Sequence, residues 1–346
     1  MIRVGIIGCG YWGPNLVRTF SEIEDVRLAW VSDIRPERLS YIAQRYPKIG
    51  GTRDAAVVIS DPTIDAVVIA TPPQTHYELA MSALNAGKHV LVEKPLATSA
   101  RDGEEMVALS DRLERTLLVG HLFLYAPAVA RIRSWLDNGT LGSLYYLSAV
   151  RTNVGPPGAV VDALWDLAPH DISIILNVMK EPPDEIYAQG GSFTNPKLIE
   201  TAFLVLRFGD GRLAHIHVGW LTPNKVRLMR MVCSQGEVVY DDMQPVQKVQ
   251  VHNPAIDNRV QAGAAGGALS YGSGGIWSPP LETYEPLRAE CLDFVGSIRT
   301  GKRPLSDGQA GVEVVRVLEA ASRCLRDGGH SVSQPLRAIE PAGAML

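Results

Sequence analysis

The fold is decided near the start of the chain by the stretch RVGIIGCGYWG, residues 3–13. Its first five residues are mostly apolar, which is typical of a buried parallel strand. The next six form a complete GxGxxG pattern, and a helical run follows from about Pro14 to Phe20. The order strand, glycine turn, helix is the context in which this pattern indicates a dinucleotide-binding βα unit.

The three glycines of the turn have different predicted parts in dinucleotide binding. Gly8 permits the tight turn, Gly10 lets the backbone approach a pyrophosphate, and Gly13 lets the helix pack on the strand. Tyr11 and Trp12 lie in the same turn and are predicted to contact the cofactor. The amino end of the helix then offers unpaired N–H groups to the phosphates.

An acidic residue at the end of the second strand bears on which dinucleotide is bound. Asp33 follows the strand Val26–Ser32 and lies 20 residues after Gly13, where a ribose-binding carboxylate is expected. Ile34 and Arg35 come next and are predicted to line the same site. An acid here repels a 2′-phosphate, which predicts NAD rather than NADP. Arg35 and Arg38 could contact a phosphate, and Asp33 could instead cap a helix or lie in a turn, so both alternatives stay open.

Further strands end in polar residues, as expected where an open α/β sheet binds its ligand. The strand 66–70 ends at Thr71, and the strand 90–92 runs into Glu93-Lys94-Pro95. This alternation of strands and helices predicts an α/β fold with a doubly wound parallel sheet. The predicted cofactor contacts from these strand ends are Thr71, Pro72, Pro73, His76, Glu93, Lys94 and His121.

Composition narrows the class of protein. The 346 residues suggest about two domains, and a hydrophobic fraction of 46% is ample for packed cores. The net charge of −4 predicts neither a nucleic-acid nor an anionic-membrane partner. No apolar run approaches the roughly 20 residues that a membrane span needs. The four cysteines are far apart, which indicates reduced thiols and a cytoplasmic protein.

The ordered motifs together resemble the Gfo/Idh/MocA family of nicotinamide-dependent sugar and cyclitol oxidoreductases. They are the glycine turn, Ala70-Thr71-Pro72-Pro73 with His76, Glu93-Lys94-Pro95, and Gly120-His121 followed by Tyr125 and Pro127. The resemblance covers nearly the whole chain. It implies a Rossmann domain over residues 1–122, a substrate-binding and oligomerisation domain over 123–346, and a cis bond between Lys94 and Pro95.

The second domain is predicted to be α+β with an open, mainly antiparallel sheet. Strand-like runs cover 202–208, 213–220 and 226–233, with a hairpin turn at Asp210-Gly211. His215 and His217 share a strand face, but no partner is spaced to complete a metal site, so no metal is predicted. The stretch 262–275 is predicted to be a surface loop. In the family such a sheet makes oligomer contacts, which implies a homodimer or homotetramer.

The segment from Trp165 to His170 carries the second set of candidate catalytic residues. Asp166 is predicted to cap a helix with Pro169 in its first turn, and His170, four residues on, then lies on the same side. In the resembled family, this D-x-x-x-H pattern supplies the catalytic histidine and a nearby acid. The resemblance therefore implies catalytic roles for His170 and Asp166 beside Lys94.

These residues predict a hydride-transfer mechanism. His170 is the candidate base in oxidation and acid in reduction, and Lys94 would stabilise alkoxide character on the same substrate oxygen. A lysine base with a lowered pKa is the rival assignment. Glu93 would anchor the cofactor side.

The substrate is predicted less directly. The candidate substrate contacts are Lys94, Arg151, Asn153, Trp165, Asp166 and His170. They resemble family members that act at C3 of nucleotide-activated sugars. A free sugar or inositol dehydrogenase is the alternative enzyme. A non-catalytic NAD(P)-binding regulator is the alternative of another class, because this fold can host sensors.

Overall fold

The computed structural model describes residues 1–156, 161–253, 275–328 and 332–333. The chain divides into two compact units, the first made of residues 1–126 with 283–319 and the second of 127–282 with 320–346. The first unit thus takes in a C-terminal segment that the predicted division at residue 122 assigned to the second. The predicted loop at 262–275 lies outside the described residues except for Gly275.

The described elements are numbered in chain order. The strands are β1 Ile2–Ile7, β2 Val26–Ser32, β3 Gly50–Thr52, β4 Ala66–Ile69, β5 His89–Glu93, β6 Leu117–Gly120, β7 Leu144–Val154, β8 Glu185–Gly191, β9 Thr201–Arg207, β10 Leu213–Gly219, β11 Leu221–Cys233, β12 Gly236–Asp241, β13 Val249–His252, β14 Ile276–Trp277 and β15 Val332–Ser333. The helices are α1 Gly13–Ser21, α2 Pro36–Arg45, α3 Ala55–Ser60, α4 His76–Asn85, α5 Ala100–Arg112, α6 Pro127–Asp137, α7 Ala163–Met179, α8 Pro286–Thr300 and α9 Gly308–Arg326.

The first unit is built on a parallel six-stranded sheet with the order β3-β2-β1-β4-β5-β6. Every neighbouring pair is parallel. The order reverses between β1 and β4, so a crevice opens at the carboxyl ends of these two strands. The predicted doubly wound parallel sheet is confirmed.

Helix α8 joins the core of the first unit although it lies far from it in the sequence. It packs on α1 and on the 3-10 turn Leu122–Tyr125. Phe20 and Phe294 are fully buried in this layer, with Leu16 and Cys291 beside them. Truncating a buried phenylalanine typically costs about 3–5 kcal/mol. The first unit therefore depends on α8 for its core.

The second unit is built on a nine-stranded mixed sheet with the order β14-β13-β12-β11-β7-β10-β9-β8-β15. Among the described strands of this sheet, only β7 and β10 are parallel neighbours. Helix α7 packs on one face of the sheet, against β7, β9 and β10. The predicted open, mainly antiparallel sheet is confirmed.

Three local features of the second unit differ from the prediction. Strand β8 is absent from the prediction, because its sequence EIYAQGG has little apolar alternation. Its extended conformation is stabilised by antiparallel pairing with β9. Strand β11 begins at Leu221, five residues before the predicted run 226–233. Its register with β7 shifts between Leu221 and Val226, a stretch that contains Pro223. Helix α7 begins at Ala163. Its N-cap is Asp162, whose side chain accepts a hydrogen bond from the Trp165 amide. The predicted N-cap at Asp166 is therefore wrong.

Candidate active site

A cavity of about 770 Å³ lies in the first unit at the carboxyl ends of β1, β2 and β4. The predicted cofactor residues that line it are Gly8, Gly10, Tyr11, Trp12, Asp33, Ile34, Arg35, Thr71 and Pro72. Tyr11 and Ile34 are mostly exposed there. The strand ends and the glycine turn therefore meet at one opening, as the sequence predicts.

The three positions of the turn require glycine for different structural reasons. Gly8 has φ +101°, and a Cβ on it would lie 2.4 Å from the Ala70 carbonyl oxygen. A Cβ on Gly13 would lie 2.2 Å from the Gly8 carbonyl oxygen. A Cβ on Gly10 would meet only the Arg35 guanidinium, at 3.7 Å. Gly8 and Gly13 are therefore required by the fold, whereas Gly10 keeps the cavity open for a ligand.

Asp33 links the glycine turn to the end of β2. Its buried carboxylate accepts hydrogen bonds from the amides of Cys9 (2.7 Å) and Arg35 (2.9 Å). Burial alone would raise the pKa of Asp33, but these hydrogen bonds and the Arg35 guanidinium lower it below its usual value. The cavity therefore has a fixed negative charge where a ribose hydroxyl could donate.

The Glu93-Lys94-Pro95 motif ends β5 beside this turn. The bond between Lys94 and Pro95 is cis, as the resemblance implies. The Glu93 carboxylate accepts a hydrogen bond from the Lys94 amide at 3.3 Å, and it lies so close over Gly120 that a Cβ there would be 2.8 Å from its Oε2. Burial raises the pKa of Glu93 to about 7, although the charge and the amide of Lys94 and the side chain of Trp12 act in the opposite direction. The motif therefore lies beside both the glycine turn and β6.

His76 lies behind the motif rather than in the cavity. It is fully buried, and its ring nitrogens lie 2.8 Å from the Pro95 carbonyl oxygen and 2.9 Å from that of Thr71. Burial lowers its pKa, although these carbonyl contacts oppose the shift. His76, predicted as a cofactor contact, therefore links by hydrogen bonds the two loops that follow β4 and β5 and that contain Thr71 and Lys94.

His121 is the clearest buried polar group near Lys94. It is 1% exposed, and neither ring nitrogen has a hydrogen-bond partner among the described residues. Burial, together with the positive charge of Lys94, lowers its pKa to about 3, so the ring is neutral. Orphaned nitrogens in a site of this kind mark a place for a ligand group that the protein does not supply.

Glu290 on α8 lies near Glu93 and was not singled out from the sequence. It is 1% exposed, and both of its carboxyl oxygens lack hydrogen-bond partners among the described residues. Burial and the negative charges of Glu93 and Asp293 raise its pKa well above the usual value. No motif marks this residue, because only the return of α8 to the first unit brings it to the end of β5.

The candidate catalytic residues of the second unit lie at the start of α7. Asp166 is in its first turn and His170 follows one turn later, so both project from one side of the helix. Pro169 is tolerated inside the helix and buried. Trp165 donates from its indole to the Ser322 hydroxyl at 3.0 Å, which fixes the helix start within this unit.

Arg151 holds α7 to the sheet. Its guanidinium donates to both carboxylate oxygens of Asp171, at 2.8 and 2.9 Å, and both side chains are only 4% exposed. Asp171 adjoins His170 in the sequence. The structure therefore places Arg151 at the contact between α7 and the sheet, and its predicted contact with the substrate stays a prediction. Asn153, two residues on, is half-buried and accepts from Arg227 at 2.6 Å.

Several cavity residues are not part of any motif in the sequence. Arg53, Thr75 and Glu78 line the cavity in addition to the predicted set. Arg53 follows β3, which is the short sequence Gly-Gly-Thr and has no strand pattern. Its position at a strand end was the only usable signal.

The described residues also bear on whether the site holds a metal ion and whether the chain could span a membrane. Across the described ranges, no group of three or more His, Cys, Asp or Glu residues is placed to hold a metal ion. No helix within the described part of the chain has the length and apolar character to cross a bilayer.

Comparison with known families assigns the chain. A family model described as an oxidoreductase family with an NAD-binding Rossmann fold matches residues 2–121. A second, the GFO/IDH/MocA C-terminal domain, matches residues 129–239. The chain belongs to the Gfo/Idh/MocA family. As a member of this family it is an NAD(P)-binding oxidoreductase.

Relatives of this Gfo/Idh/MocA protein are named for different substrates. It is 26% identical over 329 residues to UDP-N-acetylglucosamine 3-dehydrogenase of Acidithiobacillus ferrooxidans, covering 92% of this chain and 95% of that one. It is 28% identical over 225 residues to myo-inositol 2-dehydrogenase of Thermotoga maritima, covering 62% and 67%. A solved structure of the Acidithiobacillus ferrooxidans enzyme superposes with a TM-score of 0.82 at 22% identity, over 94% of this chain and 98% of that one, which shows the shared fold.

The first unit fits the dinucleotide that the family implies. The glycine turn leaves space at Gly10, the Asp33 carboxylate faces the cavity, and the ring nitrogens of His121 have no described protein partner. When bound, NAD(P) supplies a nicotinamide ring that accepts or donates a hydride. Adenosine-side contacts would come from Asp33 and Arg35, and nicotinamide-side contacts from Glu93 and His121.

Proposed function

We propose that this Gfo/Idh/MocA protein transfers a hydride between NAD and a secondary alcohol or ketone of a sugar. The observation that carries the proposal is the placement of Lys94 in the first unit. It follows the last residue of β5, Glu93, whose pKa is lowered by the side chain of Trp12 in the glycine turn. A cation at this edge of the sheet can stabilise negative charge on an oxygen beside a bound nicotinamide.

The proton steps are assigned to residues of both units. His170 takes the proton from the substrate hydroxyl in oxidation and returns it in reduction. Lys94 hydrogen-bonds the same oxygen and stabilises its alkoxide character. Asp166 contacts the substrate from the same side of α7 as His170. A lysine base is the rival assignment.

Replacing the two central residues tests these roles. His170→Asn should lower kcat at least ~100-fold, because general-base catalysis typically contributes that much. Lys94→Ala should abolish turnover, and both variants should bind NAD as tightly as the unmodified protein. His89→Asn, which removes a histidine at the opposite end of β5, is the matched control and should keep its turnover. Near-normal kcat in His170→Asn would remove this residue from the mechanism.

The proposed cofactor is NAD in preference to NADP. The Asp33 carboxylate lines the cavity and would repel a 2′-phosphate. Arg35 and Arg53 line it as well, and they supply the charge that an NADP-binding site would need. Titration with both cofactors decides between them, and tighter binding of NADP would overturn the preference.

For the substrate, we propose C3 of a nucleotide-activated sugar. Its support is the likeness over nearly the full length to the UDP-N-acetylglucosamine 3-dehydrogenase. A free sugar or inositol dehydrogenase is the second candidate, favoured by the likeness to myo-inositol 2-dehydrogenase. Following NADH absorbance with a panel of nucleotide sugars, free sugars and inositols separates them. Tight NAD binding without turnover of any compound would favour a regulator.

We also propose a homodimer or homotetramer formed through the open face of the nine-stranded sheet. Large side chains on this face are 37–45% exposed, and they are Tyr187, Phe203, Val205 and Leu213. Contiguous exposed apolar patches mark interaction sites. Phe203→Asp should shift the molar mass measured by light scattering toward the monomer. An unchanged mass would argue against this face.

The proposed location is the cytoplasm. The four cysteines, Cys9, Cys233, Cys291 and Cys324, are buried and unpaired. Unpaired thiols are typical of reducing compartments.

A further inference from the structure

Two arginines lie side by side on the α7 face of the sheet in the second unit. Arg227 on β11 is the register partner of Arg151 on β7. Arg151 is buried and bonded to Asp171, whereas Arg227 is half-buried. Met229, two residues further along β11 on the same face, is only 2% exposed. Arg227 therefore lies where the cover over this face ends and solvent can enter.

The guanidinium of Arg227 is held only by neutral oxygens. Nη1 donates to the carbonyls of Thr152 (3.0 Å) and Val226 (2.7 Å), and Nη2 donates to Oδ1 of Asn153 (2.6 Å). Arginine has five N–H donors. Nε–H and one Nη2–H thus have no hydrogen-bond partner among the described residues. The head group is fixed in place with donors still available.

The carboxylates near Arg227 do not form an ion pair with it. Asp171 is bonded to Arg151, and Asp242 lies 2.5 Å from Lys248. Within the described ranges, no carboxylate oxygen lies within 4 Å of the Arg227 guanidinium. Burial and the positive charge of Arg151 lower the pKa of Arg227 to about 10, so it stays protonated at neutral pH. An anion in contact with it would relieve this unfavourable electrostatic environment.

Arg227 is also close to the residues proposed to handle the proton. The charge of Asp166 acts on it directly, and Asp171, the partner of its neighbour Arg151, adjoins His170. A substrate in contact with Asp166 would therefore experience the positive charge of Arg227. Arginine in such a position recognises carboxylates and phosphates through paired N–H donors.

We propose that Arg227, supported by Asn153, is a substrate anion site that recognises a carboxylate or phosphate oxygen of the sugar derivative. This inference rests on the proposed function and narrows it to anionic substrates. A sugar carboxylate and the diphosphate of a nucleotide sugar share this chemistry. Neutral sugars and inositols lack it and gain nothing from Arg227.

The test compares binding to the NAD-loaded protein before and after Arg227→Met. Calorimetric titrations use glucuronate, UDP-glucose, UDP-glucuronate and, as neutral probes, glucose and myo-inositol. Losing a charge-assisted hydrogen bond of about 2 kcal/mol should weaken anionic probes roughly 30-fold. Neutral probes should bind the variant and the unmodified protein equally. Arg227→Lys should restore part of the affinity, because lysine keeps the positive charge but lacks the paired N–H donors of the guanidinium.

Two controls keep the result interpretable. Arg101→Met makes the same charge change at an 86% exposed side chain on α5 and should leave every affinity unchanged. NAD affinity should be equal in all variants, which shows that the first unit is intact. Loss confined to the two uronates identifies a carboxylate, and loss confined to the two nucleotides identifies the diphosphate.

Equal affinity for anionic probes with and without Arg227, or equal loss for neutral and anionic probes, would overturn the anion site. These titrations need no turnover. The absence of NADH formation with every compound would count against the proposed function, whereas the binding data would still decide the role of Arg227.

Discussion

At the scale of single residues, the glycine turn shows why one motif contains two kinds of glycine. Gly8 and Gly13 have no room for a Cβ, because backbone oxygens lie 2.4 and 2.2 Å away from where it would be. Gly10 has room in the protein itself, and its φ is not among the positive values. Its lack of a side chain therefore serves the ligand and not the fold.

This difference predicts opposite effects of two alanine substitutions. Gly10→Ala should weaken NAD binding at least about tenfold, while the free energy of unfolding changes by no more than about 1 kcal/mol. Gly13→Ala should instead destabilise the protein by about 1–3 kcal/mol, because its Cβ overlaps the Gly8 carbonyl. Calorimetric NAD titration and urea unfolding measure the two effects. Normal NAD affinity in Gly10→Ala would show that the cofactor does not approach this position.

At the scale of elements, the decisive contact is the ion pair that fixes α7 on β7. Arg151 and Asp171 are each 4% exposed, so neither charge is solvated when its partner is removed. The residue that follows His170 thus anchors the helix that presents it. Packing of α7 and the position of its histidine are expected to change together.

Asp171→Asn should therefore lower both stability and activity. Breaking a buried pair on one side costs about 3–5 kcal/mol, which urea unfolding would show. The kcat should fall as well, because His170 loses its fixed position. Asp137→Asn is the control, since it removes only solvent-screened pairs with Arg133 and Lys180 and should change stability far less. A loss as small in Asp171→Asn would mean that the pair does not anchor the helix.

At the scale of the whole molecule, two buried groups of the first unit give stability opposite dependences on pH. His121 has a pKa lowered to about 3, so the unfolded state binds more protons between pH 3 and 6.5. Stability is therefore lost as the pH falls below 6.5. Glu290 has a raised pKa, so the folded state binds more protons above the usual carboxyl range. Its contribution is lost as the pH rises.

Two glutamine variants should separate these contributions. Glu290→Gln should gain stability relative to the unmodified protein at pH 8, and the gain should shrink toward pH 4.5. The difference in free energy of unfolding between His121→Gln and the unmodified protein should be about 1–2 kcal/mol more favourable to the variant at pH 5 than at pH 8. Urea unfolding at pH 5, 6.5 and 8 measures both. Parallel pH curves for each variant and the unmodified protein would contradict the assigned protonation states.

The sequence by itself determined the parallel sheet of the first unit, the glycine turn and the position of Lys94 at the end of β5. These follow from short-range patterns, because a strand, a turn and a helix are specified by adjacent residues. The start of α7 was misplaced by four residues, since Asp162 and Asp166 are equally good caps by type and only packing selects one.

Only the tertiary structure decided that α8 completes the first unit, that Glu290 lies near Glu93, and that Arg151 is neutralised by Asp171 while Arg227 is not. These facts join residues that are from 20 to more than 260 positions apart in the sequence. Burial and charge pairing are properties of the folded structure. The residue type alone therefore cannot show whether an arginine forms a structural ion pair with a helix or has hydrogen-bond donors available for an anion.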